Sequence, residues 1–188
     1  YNTQNSLLLK NLMEFYNINN NLDKILPIIN GESTISLRLI DWFVTNYSKK
    51  HYITYNVKKK NGEEKTIRFK VYIDYKLKLK AYSKKRFDPF CRWDRITIPY
   101  KEDIHIQTTL GQLNFFRWAM ENDIIKYIKM NMKEIESDMN NRNSTMKYRK
   151  KGKCRKKAVS TRKKRQELSI SATKTMQKEH VEIVVKFN

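Results

Sequence analysis

The stretch from Thr109 to Ile128 constrains this chain most, because it spells a helix that water cannot surround. Thr109-Leu110-Gly111-Gln112 has the Thr-x-x-Gln form of a capping box, in which side chains satisfy backbone N–H groups the first helical turn leaves unpaired. Behind it, Leu113, Phe116, Met120, Ile124 and Ile128 fall on one face, with Phe115, Trp118 and Ile125 beside them. Only Asn114, Arg117 and Glu121 form a polar stripe. A helix apolar over most of its circumference is a buried one, so the remaining elements must pack around it. Past Lys129 the sequence turns charged, and the helix is expected to run out into solvent by Asn140.

What packs on that helix reads first as sheet. Ile53, Tyr55 and Val57 alternate through a run of strand formers, and Asn61-Gly62 then supplies the strongest short hairpin signal, since both residues tolerate positive φ. Ile67, Phe69, Val71 and Ile73 alternate with Thr, Arg, Lys and Tyr, and Tyr75, Leu77, Leu79 and Ala81 continue against Lys76, Lys78 and Lys80. A period of two over this length predicts antiparallel strands with one wet face, and that face is mostly Lys and Arg. It reads either as a solvated sheet face or as a basic platform for a phosphate backbone. A short strand is expected around Ile96–Ile98, closed by Pro99. Further strands are expected at Leu168–Ala172 and Val181–Phe187.

Upstream, Asn20 or Asn21 caps a short helix that Pro27 interrupts and Gly31 ends. Ser33 or Thr34 caps a stronger one over Ile35–Lys50, where Leu37, Ile40, Phe43, Val44 and Tyr47 share a face that excludes Asp41 and Asn46. The first twenty residues are taken as an N-terminal extension or fragment edge, because the chain opens on Tyr1 and its next candidate start is Met13. The 188 residues then make one α+β domain over 21–188, with an antiparallel sheet packed on a buried central helix. A long basic loop, at about residues 140–166, is inserted before the C-terminal strands.

The chain carries 40 Lys and Arg against 19 Asp and Glu, a net charge of +21. Part of this is compositional, since 29 Lys against 11 Arg with 18 Asn is what an AT-rich genome produces unselected. The distribution says more than the total. Lys147, Arg149, Lys150, Lys151, Lys153, Arg155, Lys156, Lys157, Arg162, Lys163, Lys164 and Arg165 put twelve cations into 19 residues with no acid. Without those twelve the +21 falls to +9. Such a run neutralises phosphates without needing a fixed fold, with counterion release supplying the free energy. Arg162-Lys163-Lys164-Arg165 also has the form of a nuclear localisation signal. Its one aromatic, Tyr148, does not make it a base-stacking or sequence-reading element.

Other chemistry has little support. His51, His105 and His180 are isolated, and Cys91 and Cys154 are too far apart for a thiolate site, so neither metal nor cofactor is expected. Four dispersed glycines build no phosphate loop, and no nucleophile motif is present. No apolar run approaches the roughly 18 residues of a membrane span. The one crowded constellation is Asp88, Cys91, Arg92, Asp94 and Arg95. Its two acids would hold a cation or share acid/base work if they converged. The simpler reading has Asp88 capping the Asp-Pro turn and Asp94 paired with an arginine, while Phe87, Phe90 and Trp93 anchor the loop.

Four stretches carry a resemblance: Ser36–Tyr47, the Phe87–Arg95 loop, Thr108–Ala119 and Glu167–Thr175. Together they resemble an uncharacterised protein family of large DNA viruses that infect eukaryotes. The resemblance implies a viral setting and a reducing host cytoplasm or viral factory, which suits two unpaired cysteines. It carries over no catalytic residues. The resulting expectation is a non-enzymatic nucleic-acid-binding protein of the virus, with DNA as partner, that grips the phosphate backbone through the basic loop regardless of sequence. The basic run also admits the nucleus as a location. The alternative is a structural or interaction protein of the virus particle, docking the same loop on an acidic surface, that of another virion protein or of a lipid.

Overall fold

A computed structural model describes residues 2–61, 63–101, 104–151 and 178–180. The expected buried helix is α6, Leu110–Glu121, and its Leu113, Phe115, Phe116 and Ala119 are sealed from solvent. Thr109 caps it by accepting a 3.1 Å hydrogen bond from the Gln112 N–H. The reciprocal half of the capping box is not made. Gln112 is fully buried, and its amide donates to the Pro89 carbonyl at 2.9 Å while its oxygen accepts from the Thr108 hydroxyl. The glutamine therefore ties the helix to the 86–90 segment. Gly111 makes that approach possible, since a Cβ there would lie 2.9 Å from the Lys85 carbonyl oxygen.

The helix does not run on to Asn140 as one piece. It stops at Asn122, and Asp123 takes a left-handed φ of 53° before α7 begins at Ile124–Met130. A further break at Asn131 leads into α8, Met132–Lys151. Residues 140–151, expected as part of a loop, are the second half of α8. Ile124 and Ile128 of α7 and Ile135 of α8 are all buried.

Around α6 the chain builds two antiparallel sheets. β1 (Thr54–Asn61) and β2 (Glu63–Lys70) form the hairpin expected at Asn61-Gly62, with Asn61 the register partner of Glu63. β3 (Arg95–Lys101) pairs with β4 (Ile104–Thr109), which also pairs with β5 (Lys178–His180). The expected strands at 168–172 and 181–187 lie outside the described residues.

The alternation read as strand past Lys70 is α5, Val71–Arg86. Val71 and Tyr75 are buried and Leu79 and Tyr82 half-buried, at spacings of four, four and three. That is one helical stripe, and a two-residue period hid it because every fourth residue satisfies both patterns. Ile73 and Leu77, core positions on the strand reading, are 53% and 60% exposed.

At the N-terminal end α1, Asn2–Asn17, buries Leu12 and Tyr16, and the Tyr16 hydroxyl donates to the Leu113 carbonyl at 2.7 Å. Residues expected as an extension thus supply a wall of the core. α2 (Asn21–Ile29) adds Ile25 and Ile29. The helix expected over 35–50 is capped by Ser36 and runs as α3 (Leu37–Trp42), a π-turn over Phe43–Tyr47, and α4 (Ser48–Lys50). The centre of the molecule is an aromatic cluster of Phe69, Tyr75, Phe87, Phe115 and Trp118, whose Phe87–Trp118 ring centroids lie 5.3 Å apart.

Candidate nucleic-acid interface

The hairpin sorts its residues as an alternating strand pair must. Tyr55 opposite Phe69 and Val57 opposite Ile67 form the inward face, where Val57 and Phe69 are buried. Asn56 opposite Arg68 and Thr54 opposite Lys70 form the outward one, with Arg68 and Lys70 exposed. Lys58 is exposed opposite Thr66. Lys59 and Lys65 are register partners of one another toward the hairpin tip.

Three further lysines of the expected platform sit differently, because α5 is a helix. At about 100° per residue, Lys76 and Lys80 share one stripe, and both are exposed. Lys78 lies about 200° from Lys76 and is half-buried, so it leaves that face. The one acid of α5, Asp74, is engaged inward, where it accepts a 2.6 Å hydrogen bond from the Trp118 indole N–H. Among the described residues, Lys58, Arg68, Lys70, Lys76 and Lys80 have no ion-pair partner. The acids that do pair lie elsewhere: Asp138 with Lys50, Asp88 with Arg92, and Glu121 with Arg117. Among the described residues, the result is a basic surface without ion pairs over the base of the hairpin and α5.

Of the twelve cations expected to make the main contact, Lys147, Arg149, Lys150 and Lys151 fall in the last turns of α8. Lys153, Arg155, Lys156, Lys157, Arg162, Lys163, Lys164 and Arg165 lie outside the described residues.

The Asp88–Arg95 constellation does not converge. Asp88 is buried, accepts the Phe90 N–H at 3.3 Å and takes a two-pronged contact from Arg92, both prongs at 2.7 Å. This is the turn-capping reading, with the arginine on Asp88 rather than Asp94. The hydrogen bond to Asp88 holds the Arg92 guanidinium above its ordinary range. Asp94 is exposed, and Arg95 turns to Gln107 at 3.0 Å. Phe87 and Phe90 are buried anchors, but Trp93, expected as a third, is 39% exposed, with the Lys85 ammonium 5.8 Å from its ring centre. Burial pushes the Cys91 thiol up, the reverse of an activated cysteine. No group of three His, Cys, Asp or Glu that could hold a metal occurs among the described residues.

One acid that the helical stripe had set aside does belong here. Asp41 lies close enough to Asp88, Arg92 and Lys84 to feel all three charges, and its carboxyl is pushed up to about 6. Burial is the main cause and the Asp88 charge the next, opposed by Arg92 and Lys84.

The architecture is that of an α+β protein wrapped on one buried helix, with cations unpaired among the described residues of the hairpin and α5. The chain belongs to a family of unknown function, DUF7197, whose model matches residues 1–186. It is 51% identical over 120 residues to "Uncharacterized protein L507" of Acanthamoeba polyphaga mimivirus. That match covers 61% of this chain and 45% of the relative, so the chain spans less than half of that protein's length. The family is thus an uncharacterised one of giant viruses, as the resemblance implied. No solved structure matches the chain. No helix among the described residues is long and apolar enough to cross a membrane.

Proposed function

We propose that this protein binds nucleic acid through the phosphate backbone, independently of sequence, with DNA as its main partner. The observation that carries the reading is the concentration of twelve cations between Lys147 and Arg165 with no acid among them. The unpaired Lys58, Arg68, Lys70, Lys76 and Lys80 give it a second, folded surface to extend the contact. Backbone contacts of this kind fix position and carry no sequence information. The reading places the protein on viral genomes, in the viral factory of the host cytoplasm or in the particle, and Arg162–Arg165 would also serve entry to the nucleus.

The test is a titration of the full chain against duplex DNAs of unrelated sequence at several salt concentrations. With six to ten phosphate contacts, affinity should fall about 10³–10⁵-fold between about 50 and 200 mM salt, equally for every sequence. Replacing the twelve segment cations by glutamine should flatten the slope to what the folded surface contributes. Duplex affinity and slope unchanged by that replacement would remove the segment from the binding element. Binding to an acidic protein surface in place of DNA would favour a particle-docking role instead.

A further inference from the structure

We infer that the groove beside Tyr52 is a stacking site for an unpaired base, so that the folded domain takes single-stranded nucleic acid as well as duplex. This rests on, and deepens, the nucleic-acid reading above. The observation is a side chain that the fold does not explain. Tyr52 is 87% exposed, and its backbone sits at φ 51°, in the left-handed region where a bulky aromatic is strained. An asparagine or glycine would hold that turn with less strain, and no burial rewards the ring. Strain of this kind is stored where a site needs a side chain in a fixed place.

The surroundings supply the rest of the chemistry. Tyr52 lines an open groove of about 490 Å³ with Lys49, Thr54, Arg68, Lys70 and Tyr72 among its walls, room for a nucleotide. Arg68 and Lys70 share the outward face of β2, and neither has an ion-pair partner among the described residues. From the other wall the Lys49 ammonium sits 5.7 Å from the Tyr72 ring centre. The position is also braced. The His51 N–H donates to Tyr47, the Ile53 N–H to Ser48, and the Val71 N–H to the Ile53 carbonyl, so the residues on both sides of Tyr52 are pinned. An exposed ring on a pinned backbone beside unpaired cations has the parts by which single strands are bound without sequence preference. A base paired inside a duplex keeps its faces covered by its neighbours, so duplex DNA meets the cations and leaves the ring unused.

The experiment compares the full chain and its variants on a ten-nucleotide oligo-dT, a ten-nucleotide oligo-rU and a ten-base-pair duplex, with thermal melting alongside. Tyr52→Ala should weaken single-strand binding about fivefold to a hundredfold, the range for loss of one stacked base, and leave duplex affinity within twofold. Tyr52→Phe should keep wild-type affinity, because stacking needs the ring and no hydroxyl. Tyr52→Gly should melt no lower than wild type, since it relieves the left-handed strain, yet bind single strands as weakly as the alanine variant. Charge reversal in Arg68→Glu should weaken both strands. Unchanged single-strand affinity in Tyr52→Ala, or an equal loss on duplex, overturns the stacking site. Duplex binding that depends on the basic segment while Tyr52 is silent leaves the general reading standing and removes only this inference. A Tyr52-dependent single-strand affinity that survives the twelve-glutamine replacement supports the groove and relocates the main contact to it.

Discussion

Asp41 shows how one residue can be misplaced by a sound pattern. On an ideal helical wheel it lies off the apolar stripe of Leu37, Ile40, Phe43 and Val44 and belongs in water. Tertiary contacts overrule the wheel, because the 86–95 segment brings Asp88 and Arg92 against that side. The consequence for stability has a definite sign. The carboxyl titrates at about 6 when folded and near 3.8 when free, so the folded state binds the extra proton between those values. Stability from this group therefore falls as pH rises from about 4 to about 6, and the cost of its charge is fully present above that window. Asp41→Asn keeps the shape and removes the charge, so it should raise stability by about 1–2 kcal/mol at pH 7, part of the cost implied by a shift of this size. The gain should vanish below pH 4. Urea unfolding of both proteins at pH 4 and pH 7 measures it, and a pH-independent difference would show that Asp41 does not titrate in that window. Trp93 was misplaced for a related reason. Its neighbours Phe87 and Phe90 are core anchors, but nothing in a sequence says which of three closely spaced aromatics the loop turns outward.

At the scale of elements, legibility followed how unambiguous each period was. The Asn61-Gly62 hairpin and the α6 start at Leu110 carried turn and cap chemistry that agreed with their periodicity, and both stand where expected. Val71–Arg86 carried no such signal. Its alternating lysines imitate a strand while Val71, Tyr75, Leu79 and Tyr82 make a helical stripe, and Lys70 offers no side-chain cap to mark the change. The breaks at Asn122 and Asn131 were hidden too, because an asparagine inside an apolar run reads as a polar position before it reads as a stop. The helical reading of α5 has a mutational signature. Tyr75→Ala should cost about 3–5 kcal/mol, as for a large buried aromatic. Leu77→Ala, on the exposed side, should stay within about 0.5 kcal/mol. A strand with alternate residues inward would make both costly. Equal losses at the two positions in denaturant unfolding would return this segment to the sheet. The site follows the same logic. Arg68 and Lys70 were legible because they lie in a true alternating strand. The groove they share with Tyr52 was not, since it depends on Tyr52 taking a left-handed φ, which no turn residue in the sequence announces.

The whole molecule carries 40 cations against 19 acids, and this excess acts on folding and on binding in opposite directions. Bringing like charges together in a compact state raises its free energy relative to the extended chain, so a net charge far from zero works against folding. Salt screens that repulsion over a Debye length of about 10 Å at 0.1 M, comparable to the spacing of charges on a domain surface. Added salt should therefore raise the melting temperature of the free protein. A change of about 1 kcal/mol corresponds to roughly 2–4 °C for a chain of this size, so the rise should be a few degrees between about 50 and 200 mM. Over the same range the complex with duplex DNA should weaken steeply, because the counterions each phosphate contact displaces gain less entropy on release into more concentrated salt. A contact made by a run that needs no fixed fold is kept on unfolding, so the rise in melting temperature that DNA gives at low salt should come from the folded surface of Lys58, Arg68, Lys70, Lys76 and Lys80. At high salt that advantage should disappear. The two melting curves, with and without DNA, should accordingly converge as salt increases, the free protein climbing and the complex falling toward it. The twelve-glutamine replacement sharpens the comparison, since it removes more than half of the +21. Its free form should show a much smaller salt-induced rise, while the DNA-induced stabilisation that comes from the folded surface should remain at low salt. Melting temperatures of the wild-type chain that do not move with salt would mean that its cations lie too far apart, or too near their acids, to repel one another. A DNA-induced stabilisation equally large at 50 and 200 mM would show that the contact is not made to phosphates.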